Sequence, residues 1–177
     1  MKKYIFKSLI ILALAVFAVS CSEEPNAVQM NEENTLNLKS GSSIWDGVIG
    51  VEKDGQNQIT IPIAQLKKDF EDELVRQGHP TTLVSFEIGE VLAQDSINTT
   101  YAVKGYNGSG LTIARFLQKD NMYLEYTLDR SVDGSYTTCT GCATGCHLRY
   151  AVFDGKKVAY CDEGGCYYNC EKTVSGS

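Results

Sequence analysis

The residues of this chain most able to do chemistry are its seven cysteines, because a thiol can carry a lipid, form a disulfide or bind a metal. Cys21 stands alone near the start of the chain. The other six lie within its last quarter, at Cys139, Cys142, Cys146, Cys161, Cys166 and Cys170. The isolated cysteine and the group of six therefore predict two separate kinds of chemistry.

Cys21 follows a segment with the composition of an export signal. Three lysines precede an apolar run at residues 9–19, and Ala18-Val19-Ser20 leads into the cysteine. The run has 11 residues, whereas a membrane-spanning helix needs about 20, so the run is typical of a cleaved signal. The segment resembles a bacterial lipoprotein signal peptide. This likeness implies removal of residues 1–20 and lipidation of Cys21.

The residues after Cys21 indicate how an anchored chain would be displayed. Residues 21–43 are rich in Asn, Glu, Gln and Ser, which favours a flexible acidic tether. Within them, Ser22-Glu23-Glu24 resembles the surface-export signal of some gram-negative lipoproteins. The likeness implies an anchor in the outer membrane with the protein exposed at the cell surface. A position facing the periplasm is the alternative.

The charge balance excludes one class of partner. Removal of residues 1–20 takes away three lysines and no acidic residue, so 13 Lys and Arg then face 22 Asp and Glu, and the formal charge falls from −6 to −9. An acidic surface without a basic stripe repels nucleic acid. The expected partners are instead the membrane, reached through the lipid, and an extracellular glycan, a peptide or an envelope protein.

Residues 44–130 predict an α+β domain that begins with a helix. Apolar residues recur at helical spacing between residues 62 and 77, where Pro62 suits the first turn and Gly78 suits the C-terminal end. The apolar face consists of Ile63, Leu66, Phe70 and Leu74. Since the opposite face is charged, we expect this helix to lie on an apolar surface.

That surface is predicted to be an antiparallel meander. The predicted strands lie at residues 84–88, 99–106, 111–117 and 122–128. In the first strand Val84, Phe86 and Ile88 alternate with polar residues, which predicts one buried and one solvated face. Asn107-Gly108 favours a hairpin between the second and third strands. The order of a helix and then a meander is similar to cystatin-like and nuclear-transport-factor-like rolls, but order alone transfers no function.

Residues 131–177 predict a cysteine-rich module built on a hairpin. Its arms at residues 148–153 and 158–161 would turn at Asp154-Gly155 and bring the two cysteine clusters together. A four-residue loop would place Cys146 opposite Gly165, whereas a two-residue loop would place Leu148 opposite Cys161. In an exported chain, the six cysteines that remain once Cys21 is set aside favour three disulfides, and fifteen pairings are possible.

Two other uses of these cysteines stay open. Thiolates two or three residues apart also match the spacing of zinc and iron–sulfur sites. Cys142, Cys146 and His147 form C-x-x-x-C-H, one residue longer than the usual haem-attachment signal, with His147 as the axial ligand. We favour the three disulfides because the compartment is oxidising, and this hypothesis needs no cofactor.

The sequence indicates a role without catalysis. It has two histidines, His79 and His147, and it lacks a nucleophile elbow, a Walker loop and a dinucleotide fingerprint. We therefore expect a binding or structural role at the envelope. Tyr160, Tyr167 and Tyr168 are candidate ligand contacts, because rigid aromatic side chains lose little entropy on binding. The alternative is an envelope redox, metal or haem protein that uses the cysteine cluster.

One tripeptide indicates a modification. Asp95-Ser96-Ile97 resembles the O-glycosylation acceptor that some gram-negative bacteria use on exported proteins. The resemblance implies a glycan on the hydroxyl of Ser96.

Overall fold

The computed structural model of this chain describes residues 43–120, 125–132, 136–142, 144–166 and 169–175. These residues form an eight-stranded antiparallel sheet, a separate two-stranded hairpin and one α-helix. The strands are β1 (Val48–Lys53), β2 (Gln56–Ile59), β3 (Ser85–Leu92), β4 (Thr99–Tyr106), β5 (Leu111–Asp120), β6 (Glu125–Leu128), β7 (Tyr136–Thr140), β8 (His147–Phe153), β9 (Lys156–Asp162) and β10 (Glu171–Ser175). The helix α1 spans Ile63–Arg76, and a 3-10 turn covers Ile44–Asp46.

Helix α1 forms where the apolar period predicts it. Leu66, Phe70 and Leu74 are fully buried in one hydrophobic cluster with residues of β1, β3, β4 and β5. Gly78 follows the helix with a φ of +82°, a left-handed conformation that favours glycine at a helix end. Ile63 differs from the prediction, because it is 41% exposed. It is the first residue of the helix.

The predicted meander is confirmed by the strand pairing. Antiparallel ladders join β3 to β4, β4 to β5 and β5 to β6. The turn between β4 and β5 is closed by Asn107, whose side-chain oxygen accepts hydrogen bonds from the backbone N–H groups of Ser109 and Leu111. Of the segment predicted at residues 122–128, only residues 125–128 lie within the described part of the chain, and they form β6.

Strand β5 is the centre of the sheet because it pairs on both edges. One edge carries β4, and the other is shared by β6, which pairs with residues 117–120, and by β7, which pairs with residues 111–114. Beyond β6 the sheet continues through β1 to β2, and beyond β7 it continues to β10. Strands from both sides of the predicted boundary at residue 130 therefore belong to one sheet.

The two faces of this sheet are both covered, although the alternation predicted one solvated face. On one face, Ile88, Val103 and Ile113 pack with helix α1. On the other face, Ala102 and Ala114 pack with residues of the β8–β9 hairpin and with the cysteines. Small side chains at these positions let the hairpin approach the sheet closely. Val84, predicted to be buried, is 68% exposed, and its neighbour Leu83 is buried in its place.

Candidate functional site

Three disulfides in the C-terminal region attach the β8–β9 hairpin to the sheet. They pair Cys139 with Cys161, Cys142 with Cys166, and Cys146 with Cys170, over Cα distances of 5.7, 5.6 and 5.3 Å. Among the six clustered cysteines, the first thus joins the fourth, the second joins the fifth and the third joins the sixth. The prediction of three disulfides is confirmed. Each closes a loop of the unfolded chain and stabilises the fold by about 3–4 kcal/mol in the chain-entropy view.

Of the two loop lengths that the sequence allowed, the β8–β9 hairpin has the shorter one, of two residues. Asp154 and Gly155 both have positive φ, as a type I′ turn requires, and the register places Leu148 opposite Cys161. This register puts Cys161 on β9 next to Cys139 on β7. It also leaves Cys146 immediately before β8, where it meets Cys170 immediately before β10.

An ion pair fixes the hairpin at the end away from the disulfides. Nζ of Lys157 donates hydrogen bonds to Oδ2 of Asp129 at 2.6 Å and to Oγ1 of Thr100 at 3.0 Å. The Asp129 side chain is only 4% exposed. Burial alone would raise the pKa of Asp129, but hydrogen bonds from Lys157 and Ser131 outweigh burial and lower this pKa below its ordinary value. The hairpin is therefore held at both ends.

A groove of about 500 Å³ lies between the sheet and the start of the hairpin. Its polar lining comes from Glu90 on β3, Lys104 and Tyr106 on β4, and His147 and Arg149 on β8. Cys142 and Cys146, which belong to different disulfides, line the same groove. We call this feature the hairpin groove. Since disulfides fix the wall that β8 contributes, the groove is formed before any ligand binds.

Each cation that lines the hairpin groove already has an acidic neighbour. Nζ of Lys104 lies 3.6 Å from Oε1 of Glu87, and Nε of Arg149 lies 3.3 Å from Oδ2 of Asp162. Burial lowers the pKa of Lys104, while the Glu87 carboxylate acts in the opposite direction. The groove therefore offers cationic donors whose charge is already compensated by neighbouring carboxylates.

Tyr106 adds an aromatic ring and a fixed hydroxyl to the groove. Its Oη donates a hydrogen bond of 2.6 Å to Oε1 of Glu87. Burial first, and then this hydrogen bond, raise the pKa of Tyr106 far above its ordinary value. The side chain is therefore a neutral phenol at neutral pH.

The structure places the residues singled out in the sequence at different sites. His147 is exposed and lines the hairpin groove. Tyr160 is half-buried on β9 opposite Arg149 and is not among the residues that line the groove. Cys21, Tyr167 and Tyr168 lie outside the described residues. Both cysteines of the C-x-x-x-C-H motif are bridged, Cys142 to Cys166 and Cys146 to Cys170.

Sequence reasoning missed Lys104, Tyr106 and Arg149 as a group. A signal was present, since Lys104 and Arg149 each interrupt a strand of apolar and aromatic residues. A cation in such a strand needs either solvent or a partner. Their convergence was not visible, because Lys104 and Arg149 come from strands that do not pair with each other.

Sulfur atoms of two disulfides meet beside the groove. The Sγ atoms of Cys146, Cys161 and Cys170 all lie within 4.8 Å of one another. Cys146 and Cys170 form one bridge, whereas Cys161 is bonded to Cys139. Cys146 is buried, and Cys161 and Cys170 are half-buried. We call these three residues the sulfur trio.

Comparison with known proteins adds no family to these observations. Neither a protein-family model, nor a curated protein, nor a solved structure matches the chain. Among the described residues, no helix is both long enough and apolar enough to cross a membrane.

Proposed function

We propose that this chain is a lipid-anchored envelope protein that binds a polar, hydroxyl-rich ligand such as an extracellular glycan in the hairpin groove, without converting it chemically. The observation that carries the proposal is the groove itself. It is a preformed cavity between the sheet and a strand held by disulfides, and it is lined by Lys104, Tyr106 and Arg149. Concave sites with a few fixed polar groups are the usual form of a ligand site.

The ligand class follows from the charge pairing in the groove. A free anion binds best where cations lack a partner, but Glu87 already faces Lys104, and Asp162 already faces Arg149. Sugar hydroxyl groups accept hydrogen bonds without carrying a charge, so a sugar can bind Lys104 and Arg149 in the groove without competing with their carboxylate partners. The Tyr106 ring offers an apolar surface beside them. An uncharged glycan therefore fits this lining better than a phosphate or a carboxylate.

Saturation-transfer NMR and calorimetry with oligosaccharides test the binding. Uncharged chitin-, maltose- and xylose-derived oligomers would be compared with acidic polygalacturonate oligomers. We expect an uncharged oligomer to bind, and we expect Lys104→Met or Arg149→Ala to weaken binding about tenfold or more, which corresponds to about 1.4 kcal/mol. Lys156→Ala is the matched control, since Lys156 is an exposed cation on the same hairpin that does not line the groove. Binding unaffected by both groove variants, or binding of the acidic oligomers alone, would contradict the proposal.

The anchor is tested separately from the ligand. The likeness to lipoprotein signals around Cys21 supports attachment through two or three acyl chains, since a single chain binds a bilayer only marginally. The wild-type protein should enter the detergent phase on Triton X-114 separation and carry a lipid mass on Cys21, and Cys21→Ser should stay in the aqueous phase. Protease digestion of intact cells then distinguishes display on the cell surface from a position facing the periplasm. A wild-type protein without a lipid mass on Cys21 would end the anchor proposal.

We also propose that α1 and the meander β3–β6 form a roll with the element order of the cystatin-like and nuclear-transport-factor-like proteins. The helix precedes the four strands in the chain and packs on one face of the sheet. Superposition of an experimental structure on those rolls tests this likeness, which carries no function with it.

The alternative role uses the cysteines. Of its redox, metal and haem forms, the redox form is favoured by one observation, the approach of sulfur atoms from two different disulfides.

A further inference from the structure

We infer that the Cys146–Cys170 and Cys139–Cys161 disulfides form one exchanging unit, in which an external dithiol reduces the pair through Cys170 and the remaining bridge moves to Cys146–Cys161. This redox activity goes beyond ligand binding and depends on neither the hairpin groove nor the lipid.

The geometry of the sulfur trio carries this inference. Disulfide exchange needs a thiolate close to the sulfur of another disulfide. The Sγ atoms of Cys146 and Cys161 lie within 4.8 Å, although they belong to different bridges. A disulfide bond is about 2.05 Å long, so the two atoms need to close by less than about 3 Å to become bonded. The third bridge, Cys142–Cys166, contributes no sulfur to the trio.

Burial determines the direction of exchange. In the Cys146–Cys170 bridge, Cys170 is half-buried and Cys146 is only 5% exposed, so an external thiolate reaches Cys170 first. Attack at Cys170 releases Cys146 as the thiolate, and its Sγ lies within 4.8 Å of Sγ of Cys161. The other entry, attack at Cys161, releases Cys139, which is not a member of the trio.

The steps balance in atoms and electrons. One thiolate of an exported dithiol bonds to Sγ of Cys170, and the electron pair of the Cys146–Cys170 bond leaves on Cys146. The Cys146 thiolate then bonds to Sγ of Cys161, and the electron pair of the Cys139–Cys161 bond leaves on Cys139. The second thiol of the reductant displaces Cys170 and closes the reductant as a disulfide. Its two protons end on Cys139 and Cys170, so two electrons have reduced one bridge of the pair.

Limited reduction of the folded protein tests the product. The whole chain is treated with substoichiometric dithiothreitol at pH 8, quenched with acid, labelled with N-ethylmaleimide and mapped without further reduction. We expect a one-bridge-reduced species with a Cys146–Cys161 crosslink and label on Cys139 and Cys170, while Cys142–Cys166 stays intact. Species that contain only the native bridges, with label on both members of a native pair, would overturn the inference.

A pair of single variants gives a second test that needs no reductant. Cys139→Ser leaves the Cys161 thiol beside the Cys146–Cys170 bridge, and we expect the label to distribute over Cys146, Cys161 and Cys170. Cys142→Ser is the matched control, because it leaves Cys166, whose sulfur is outside the trio. Label in the control should remain on Cys166. Label on Cys161 alone in Cys139→Ser would contradict the exchange.

Discussion

Nε1 of Trp45 donates a hydrogen bond of 2.9 Å to Oδ2 of Asp69, which lies 24 residues further along the chain on α1. Oη of Tyr136 donates to the same carboxylate oxygen. The guanidinium of Arg115 lies 4.1 Å from the centre of the Trp45 ring and 4.5 Å from that of Tyr136. The Asp69 carboxylate and the Arg115 guanidinium therefore hold the 3-10 turn at Ile44–Asp46 against the helix and the sheet.

Removal of this carboxylate should destabilise the protein strongly. We expect Asp69→Ala to lower the free energy of unfolding by about 2–3 kcal/mol, because the buried donors of Trp45 and Tyr136 would lose their acceptor. Urea unfolding followed by tryptophan fluorescence measures the loss, since Trp45 is the single tryptophan of the chain. Asp72→Ala on the exposed side of the same helix is the control and should cost less than about 0.5 kcal/mol. Equal losses in the two variants would contradict the role of Asp69.

The ion pair between the buried Asp129 and the half-buried Lys157 should make the free energy of unfolding depend on pH. The pKa of Asp129 is lower in the folded chain than in the unfolded one. Its contribution is therefore present above the unfolded-state pKa of about 4 and is lost as the pH falls through the lower folded-state pKa. We expect Asp129→Asn to cost about 2 kcal/mol at pH 7 and progressively less as the pH falls below about 4.

Denaturant unfolding at several pH values between 2 and 7 measures this dependence. Asp154→Asn on the exposed turn of the same hairpin is the control, with an expected change below about 0.5 kcal/mol at pH 7. A cost of Asp129→Asn that stays constant down to pH 2 would show that the ion pair is not its source.

Two glycines with positive φ separate the effect of backbone strain from that of a steric clash. A Cβ on Gly110 would lie 2.0 Å from the carbonyl oxygen of Gly141 in the cysteine segment, whereas a Cβ on Gly155 meets nothing within 4 Å. We expect Gly155→Ala to cost about 1 kcal/mol through strain alone. Gly110→Ala should cost about 3 kcal/mol, because the clash adds to the strain.

Thermal unfolding compares the two glycine variants. Since Gly110 also lines the hairpin groove, oligosaccharide binding should be lost in Gly110→Ala and kept in Gly155→Ala. Similar melting temperatures for the two variants would show that the turn and the cysteine segment do not pack as described.

Ser96 is expected to carry a glycan when the chain is produced in a gram-negative host that glycosylates exported proteins. It lies on the exposed loop between β3 and β4 with a φ of +57°, and Ile97 beside it is 82% exposed. The Asp95 carboxylate accepts backbone hydrogen bonds from Ile97 and Asn98 and so fixes the loop. Intact mass should show a sugar adduct that Ser96→Ala removes and that Ser109→Ala, on another exposed turn, retains.

The local elements of the fold were predictable because their signals lie within a few residues of one another. The period of Leu66, Phe70 and Leu74 predicted α1, and Asp154-Gly155 predicted the β8–β9 hairpin. Asp54-Gly55 carries the same turn signal, and the β1–β2 hairpin that it closes could have been predicted in the same way. Strands β7 and β10 gave no such signal. In β7 the first four of five residues are all buried, without alternation.

Burial of the second face was not predictable from alternation. Lys104 and Glu87, which lie opposite each other on β4 and β3, are polar, as a solvated face requires, yet the Lys104 side chain is only 13% exposed. The hairpin that covers it comes from a segment more than 40 residues later in the chain. No local pattern indicates that contact.

The amino-acid sequence alone was enough to determine the helix, the meander and the presence of disulfides. Apolar periodicity, turn residues and a cluster of six cysteines are local or compositional properties, and they can be read without knowing which segments pack together. The tertiary structure alone decided which of fifteen pairings the six cysteines adopt, that Lys104 and Arg149 line one groove, and that the sulfurs of Cys146 and Cys161 lie within 4.8 Å. These features depend on the distances between segments that are remote in the chain, and such distances are set by the packing of the hairpin on the sheet.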